Sequence, residues 1–122
     1  MRNSAVQTVN VLTNPKRGEV WLADFDPTRA DEIGKTRPAL VIQDDEIDIG
    51  TTIVIPFSTV IVADSEPLRI YYKLPFLDKA SDLAITQMRS LSLQRFHKKI
   101  GSIHTSEMSK VSQYIGLVLH LK

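Results

Sequence analysis

The apolar positions of this chain fall into short blocks of period two, then one closing block of period near 3.6. Val20 and Leu22 around Trp21, with Phe25 beyond and Gly18 before, predict a first strand. Asp26-Pro27-Thr28 stops it, because proline offers no amide to a ladder. A polar loop from Arg29 to Thr36 follows around Gly34, and Pro38 favours an extended Arg37. Ala39 to Gln43 is a continuous apolar run, the pattern of a strand buried on both faces. The acidic turn Asp44 to Gly50 leads into Thr52–Phe57, rich in β-branched residues, with Pro56 marking a bulge or an edge. Leu68–Leu74 alternates as a fourth strand, a fifth is expected over Ala84–Met88, and a short sixth over Ile100–Ile103. Met108, Val111, Ile115 and Val118 then share a helical face, with Tyr114, Leu119 and Leu121 beside it. Thr105 or Ser106 is expected to cap that helix, and Glu107 suits its positive start.

Short strands at close spacing plus one terminal helix predict a mainly β fold. It should be a strongly bent antiparallel sheet or small barrel with a packed helix. No internal repeat, low-complexity tract or linker interrupts it, so residues 16–122 read as one domain. Residues 1–15 read as a flexible leader or a loosely attached edge strand. They lack the continuous apolar centre of a secretory signal.

Composition narrows the chemistry. Hydrophobic residues make up 43% and charged residues 24%, a balance that argues against disorder. The net charge of +1 demands no nucleic acid globally, so such a site has to be a local patch. The absence of cysteine excludes disulfides, thiol catalysis and zinc–thiolate sites, and fits a reducing cytoplasm. No apolar run approaches the ~20 residues of a membrane-spanning helix.

Arg37 is the leading candidate for chemistry. A guanidinium stays charged at working pH and can hold two phosphate oxygens at once. Lys35 and Arg29 add positive charge to the same loop, while pairing with Asp31 or Glu32 is the structural alternative. Ser58 and Thr59 follow the third strand, where hydroxyls can donate to a phosphate oxygen or simply shape a turn. Gln87-Met88-Arg89-Ser90 brings another arginine, and Arg95, His97, Lys98 and Lys99 follow as a phosphate-tracking patch or a solvated charged loop. Asp44, Asp45, Glu46 and Asp48 lack the ordered spacing of a calcium loop and read as a solvated turn. His97, His104 and His120 show no metal-ligand spacing, and His120 suits the negative end of the helix. Trp21 is expected in packing, and only one of Tyr71 and Tyr72 can face outward to stack on a base.

In order along the chain stand Arg17-Gly18-Glu19-Val20-Trp21, Asp24-x-Asp26-Pro27, Glu32-x-Gly34-Lys35-x-Arg37-Pro38, Pro56-Phe57-Ser58-Thr59, Gln87-Met88-Arg89-Ser90, Arg95-Phe96 and Ile100-Gly101. The set resembles the MazF/Kid/PemK family of toxin endoribonucleases, from Lys16 to Leu121. The resemblance implies an SH3-like barrel (CcdB/MazF-like), a homodimer and a cognate antitoxin. Operator DNA would be bound only as the toxin–antitoxin complex. It implies cleavage of single-stranded mRNA without metal or other cofactor, giving 2′,3′-cyclic phosphate and 5′-hydroxyl ends. The family's catalytic arginine falls on Arg37 and its catalytic threonine or serine on Ser58. Glu32 matches a loop acid that orients Arg37 or the substrate, Gln87 and Arg89 match positions that line the groove or serve a structural role, and Arg29, Lys35 and Thr59 are expected to bind substrate with them. Two departures stand out. Ala80 sits where members often carry an acid, and Ala84 and Thr86 sit where some carry an arginine and an aspartate, so no general base is assigned. The competing reading is a non-enzymatic toxin of the related CcdB class, which poisons DNA gyrase through its terminal helix.

Overall fold

The computed structural model describes residues 14–26 and 35–121. The leader as far as Thr13, together with Arg29, Asp31 and Glu32, lies outside the described residues. Among the described residues, seven strands form one antiparallel sheet: β1 (Glu19–Asp24), β2 (Thr36–Val41), β3 (Thr51–Ser58), β4 (Arg69–Tyr72), β5 (Ser81–Ala84), β6 (Arg89–Ser92) and β7 (Phe96–Ser102). Helix α1 (Thr105–Val118) closes the chain. This is the mainly β, bent-sheet architecture with a terminal helix that the hydrophobic pattern predicts.

β3 organises the sheet. One edge pairs with β2, and β1 and β7 continue outward from there. The other edge pairs with β6 through Val54 and with β5 from Phe57 onward. Pro56 has no amide to donate and sits where β3 has left β6 and not yet joined β5. The bulge or edge expected there is this exchange of partners. The same exchange divides the single strand expected over Ala84–Met88. β5 ends at Ala84, Ile85–Gln87 form a 3-10 turn, and β6 starts at Arg89. Ile85 stays buried through the turn, so the apolar pattern continues where the strand does not. β7 is longer than the sixth strand expected over Ile100–Ile103. Its polar start, His97 to Lys99, hides it, and charges are what an edge strand carries.

Two apolar clusters use alternate residues of the same strands. Val20, Leu40, Ile55 and Phe57 pack with Ile70, Leu83, Met108 and Val111 between sheet and helix. Trp21, Ala23, Phe25, Ala39, Val41, Val54 and Leu91 fill the inside of the bend, with Phe96 edge-on to Trp21 at 6.2 Å. Burial on both faces is why β2 and β3 read as unbroken apolar runs. Tyr72 is buried and donates its hydroxyl to Glu107 Oε1 at 2.7 Å, tying β4 to α1, while Tyr71 is exposed.

The opening phrase Arg17-Gly18-Glu19 is structural. Arg17 donates to the Ile42 carbonyl and, at 2.8 Å, to Ser112 on α1. Gly18 has φ +89, a left-handed conformation in which a side chain is strained, and exchanges backbone bonds with Val41 and Ile103. Glu19 accepts from Lys16 N–H, Trp21 Nε1 and Lys99 Nζ.

The helix ends differ from expectation. His104, not Thr105 or Ser106, is the N-cap, its ring accepting the Ser106 N–H at 3.1 Å. His120 stands past the helix at φ +59. Its N–H bonds the Leu117 carbonyl and the Leu121 N–H bonds the Gly116 carbonyl, a Schellman closure. His120 thus contributes its backbone to the closure of the helix.

Candidate active site

The site is built at the end of β1 and the start of β2. Asp26 and Lys35 are tied to each other and to the strand ends. Lys35 N–H donates to Asp26 Oδ1 at 2.8 Å, and Phe25 N–H to the Lys35 carbonyl at 2.9 Å. Asp26 N–H is taken by Asp24 Oδ1. Lys35 is exposed and holds φ +65, so its contribution begins with its backbone. Two residues on, Arg37 pairs with Ala23 across the β1–β2 ladder.

The register of β2 on β3 pairs Ala39 with Pro56 and Leu40 with Ile55. The ladder ends at Ala39–Pro56; the same register continued two residues would bring Arg37 level with Ser58, and directly opposed residues of an antiparallel pair face the same way. Alternation gives that side the parity of Ala39, Val41 and Val54, the inside of the bend. Ser58 is not the exposed hydroxyl past a strand end that the sequence suggests. β3 runs through it because it pairs with Asp82 of β5, and it is only 5% exposed. Its Oγ accepts the Val60 N–H at 3.2 Å, which leaves its own hydroxyl proton to donate.

Two further arginines reach the end of β1. Arg89 lies over the Phe25 ring at 5.8 Å and donates to the Phe25 carbonyl at 3.4 Å. Arg95 donates to the carbonyls of Asp24 and Asp26. Gln87 stands in the 3-10 turn just before β6. Arg37, Arg89 and Arg95 thus gather where β1 ends, a positive cluster in a chain of net charge +1. The basic run from Arg95 to Lys99 divides: Lys99 on β7 is paired with Glu19 at 3.0 Å, and Arg95, just before the strand, turns to backbone carbonyls. Lys98 joins Thr36, Arg37, Thr59 and Lys79 around a cleft of about 520 Å³. Lys79 carries no motif and was missed in the sequence. In the acidic turn, Asp44 and Asp45 accept the backbone N–H groups of Glu46 and Arg17.

A family model described as PemK-like, MazF-like toxin of type II toxin–antitoxin systems matches residues 16–119. The chain belongs to this family. Among curated relatives, the endoribonuclease MazF of Staphylococcus epidermidis is 32% identical over 110 residues, covering 87% of this chain and 92% of that one. Endoribonuclease MazF9 of Mycobacterium tuberculosis is 26% identical over 114 residues, covering 87% and 97%. The crystal structure of MazF (Form-I) from Deinococcus radiodurans superposes with a TM-score of 0.75 at 21% identity, covering 88% of this chain and 98% of that one. A MazE–MazF complex from the same organism gives 0.68 at 18%, covering 89% and 98%. These likenesses do not favour the gyrase-binding alternative. Among the described residues, no helix of this PemK/MazF-family toxin is long and apolar enough to cross a membrane.

Proposed function

We propose that this toxin is a cytoplasmic endoribonuclease that cuts single-stranded mRNA at a short sequence motif, without a metal ion. The observation that supports the reading is that β2 and β3 are adjacent antiparallel strands whose last printed pair is Ala39–Pro56; the same register continued two residues would bring Arg37 level with Ser58. A phosphate between them meets a permanent positive charge on one side and a hydroxyl donor on the other. The ribose 2′-oxygen attacks phosphorus, the P–O5′ bond breaks, and the 5′-oxygen leaves with a proton. The products are a 2′,3′-cyclic phosphate and a 5′-hydroxyl, and no water is consumed. Arg37 neutralises the extra negative charge of the phosphorane and Ser58 donates to a non-bridging oxygen. Both interactions strengthen as charge develops. In this reading Thr59, which borders the cleft, contacts substrate, and Gln87, Arg89, Lys35, Arg29 and Glu32 are the further residues assigned to substrate binding.

The partners follow the family: a cognate antitoxin over the RNA groove, a second copy of the chain, and operator DNA held by the toxin–antitoxin complex. Leu117, Leu119 and Leu121 are exposed at the end of α1, apolar area that a homodimer would cover.

The test is an oligonucleotide with one 2′-deoxy nucleotide placed at the cleavage position. Cleavage should stop there and continue when the deoxy nucleotide sits elsewhere. Cutting at the deoxy position would exclude attack by the 2′-hydroxyl.

A further inference from the structure

A second cleft, also about 520 Å³, opens on the side of β5 and β4 and is bounded by the Ile61–Glu66 arch, Arg69, Tyr71 and Asp82. It is tied to the candidate active site by register. Ser58 pairs with Asp82, and Asp82 pairs with Tyr71, so the three form one row on one face of β3, β5 and β4. With neighbouring strands ~4.8 Å apart, the Tyr71 backbone lies about 10 Å from that of Ser58. That is the scale of one or two nucleotides.

The walls are held in place. Asp82 is 1% exposed, and its Oδ2 accepts Val62 N–H at 2.8 Å and Arg69 Nη1 at 3.1 Å. Arg69 Nη1 also donates to the Val60 carbonyl at 2.9 Å, so this ion pair, buried on its carboxylate side, fixes the start of the arch that follows Ser58. Both bonds to the carboxylate fall on Oδ2, and the other oxygen keeps acceptor capacity. Tyr71 is 54% exposed and offers a ring face beside this pair. With Asp64 and Glu66 the lining carries more carboxylates than its one guanidinium. Such a wall repels phosphate and accepts from N–H donors. An aromatic face beside a fixed acceptor suits an unstacked base read on its hydrogen-bonding edge.

We propose that this cleft is a base-recognition subsite. It takes a base bearing an exocyclic amine (guanine, adenine or cytosine) within about two nucleotides of the phosphate held by Arg37 and Ser58. The base stacks on Tyr71 and donates to Asp82. Uracil, whose single N3–H donor is flanked by two carbonyl oxygens that a carboxylate repels, is disfavoured there. The proposal rests on the ribonuclease reading above.

The experiment maps cleavage sites on a long single-stranded RNA for wild type, Tyr71→Ala and Tyr71→Phe, with Arg37→Ala as control. It then measures kcat/KM on short RNAs varied one position at a time around the cut. Tyr71→Ala should lower kcat/KM on the preferred RNA by about 5- to 150-fold, the range expected for one lost base stack. The loss should fall mainly on KM, and the preference against uracil at one flanking position should weaken. Tyr71→Phe keeps the ring and should restore both. An unchanged rate and motif in Tyr71→Ala would overturn the proposal, as would unchanged cleavage with weakened inhibition by the antitoxin, which would assign the cleft to protein binding. The two readings fail separately. No cleavage by folded wild type, or full cleavage by Arg37→Ala, defeats the ribonuclease assignment. Cleavage that needs Arg37 but ignores Tyr71 defeats only the subsite.

Discussion

Gly101 and Phe76 should be energetically coupled, and the coupling can be worked from geometry. Gly101 lies on β7 opposite Val20, and the Phe76 ring rests on it. A Cβ at position 101 would stand 2.3–2.5 Å from three atoms of that ring, where ordinary contact begins near 3.4 Å. The ring would have to retreat by about 1 Å, and Phe76 borders both the main core and the 520 Å³ cleft. Overpacking of this kind costs about 1–3 kcal/mol. The backbone of Gly101 is not left-handed, so alanine itself brings no φ penalty. Gly101→Ala should therefore lower the urea midpoint at unchanged m, measured at one protein concentration because subunit association would shift it. Phe76→Ala removes the ring, and in that background Gly101→Ala should cost almost nothing, a coupling of about 1–3 kcal/mol in the double-mutant cycle. Equal costs in both backgrounds would refute the ring-on-glycine explanation and point to the strand itself.

Tyr72→Phe should destabilise by about 1–2 kcal/mol, because it removes a hydroxyl that donates to the Glu107 carboxylate. Burial, reinforced by the Glu107 carboxylate, pushes the Tyr72 phenol above its ordinary value. Its stabilisation is thus complete below about pH 10 and is lost as pH climbs from there through the raised value, a decline that equilibrium unfolding should show in wild type and not in Tyr72→Phe. His120→Gly should stabilise by about 0.5–1 kcal/mol, since glycine takes the left-handed closing position without a Cβ penalty. A lower melting temperature in that variant would count against the closure described for α1.

Much of the fold is legible in local pattern. The apolar runs of β2 and β3, the alternation that buries Tyr72 and exposes Tyr71, and the Met108–Val111 helical face all follow from side-chain periodicity. What escapes is non-local. The break at Ile85–Gln87 exists because β3 takes two partners along one edge, and Ile85 stays apolar through the turn. The His104 cap depends on a ring nitrogen that propensity ranks poorly, and β7 begins in charged residues because it is an edge. At the candidate site, the Arg-Pro step marks Arg37 in the sequence. The near-burial of Ser58, the Arg69–Asp82 pair and the presence of Lys79 at the cleft depend on β5 returning to β3 from far along the chain, with β4 paired on its other side. Asp82 bears a buried charge with no motif around it, so only the register reveals it.

The central claim is that Arg37 and Ser58 act on one phosphate. It is tested most directly by incubating a long single-stranded RNA with wild type and with Arg37→Ala in excess EDTA, and mapping the ends of every fragment. The account predicts discrete cuts by wild type ending in 2′,3′-cyclic phosphate and 5′-hydroxyl, and a folded Arg37→Ala protein that makes none. Cutting by Arg37→Ala at the wild-type rate, or products with 5′-phosphate ends, would contradict it.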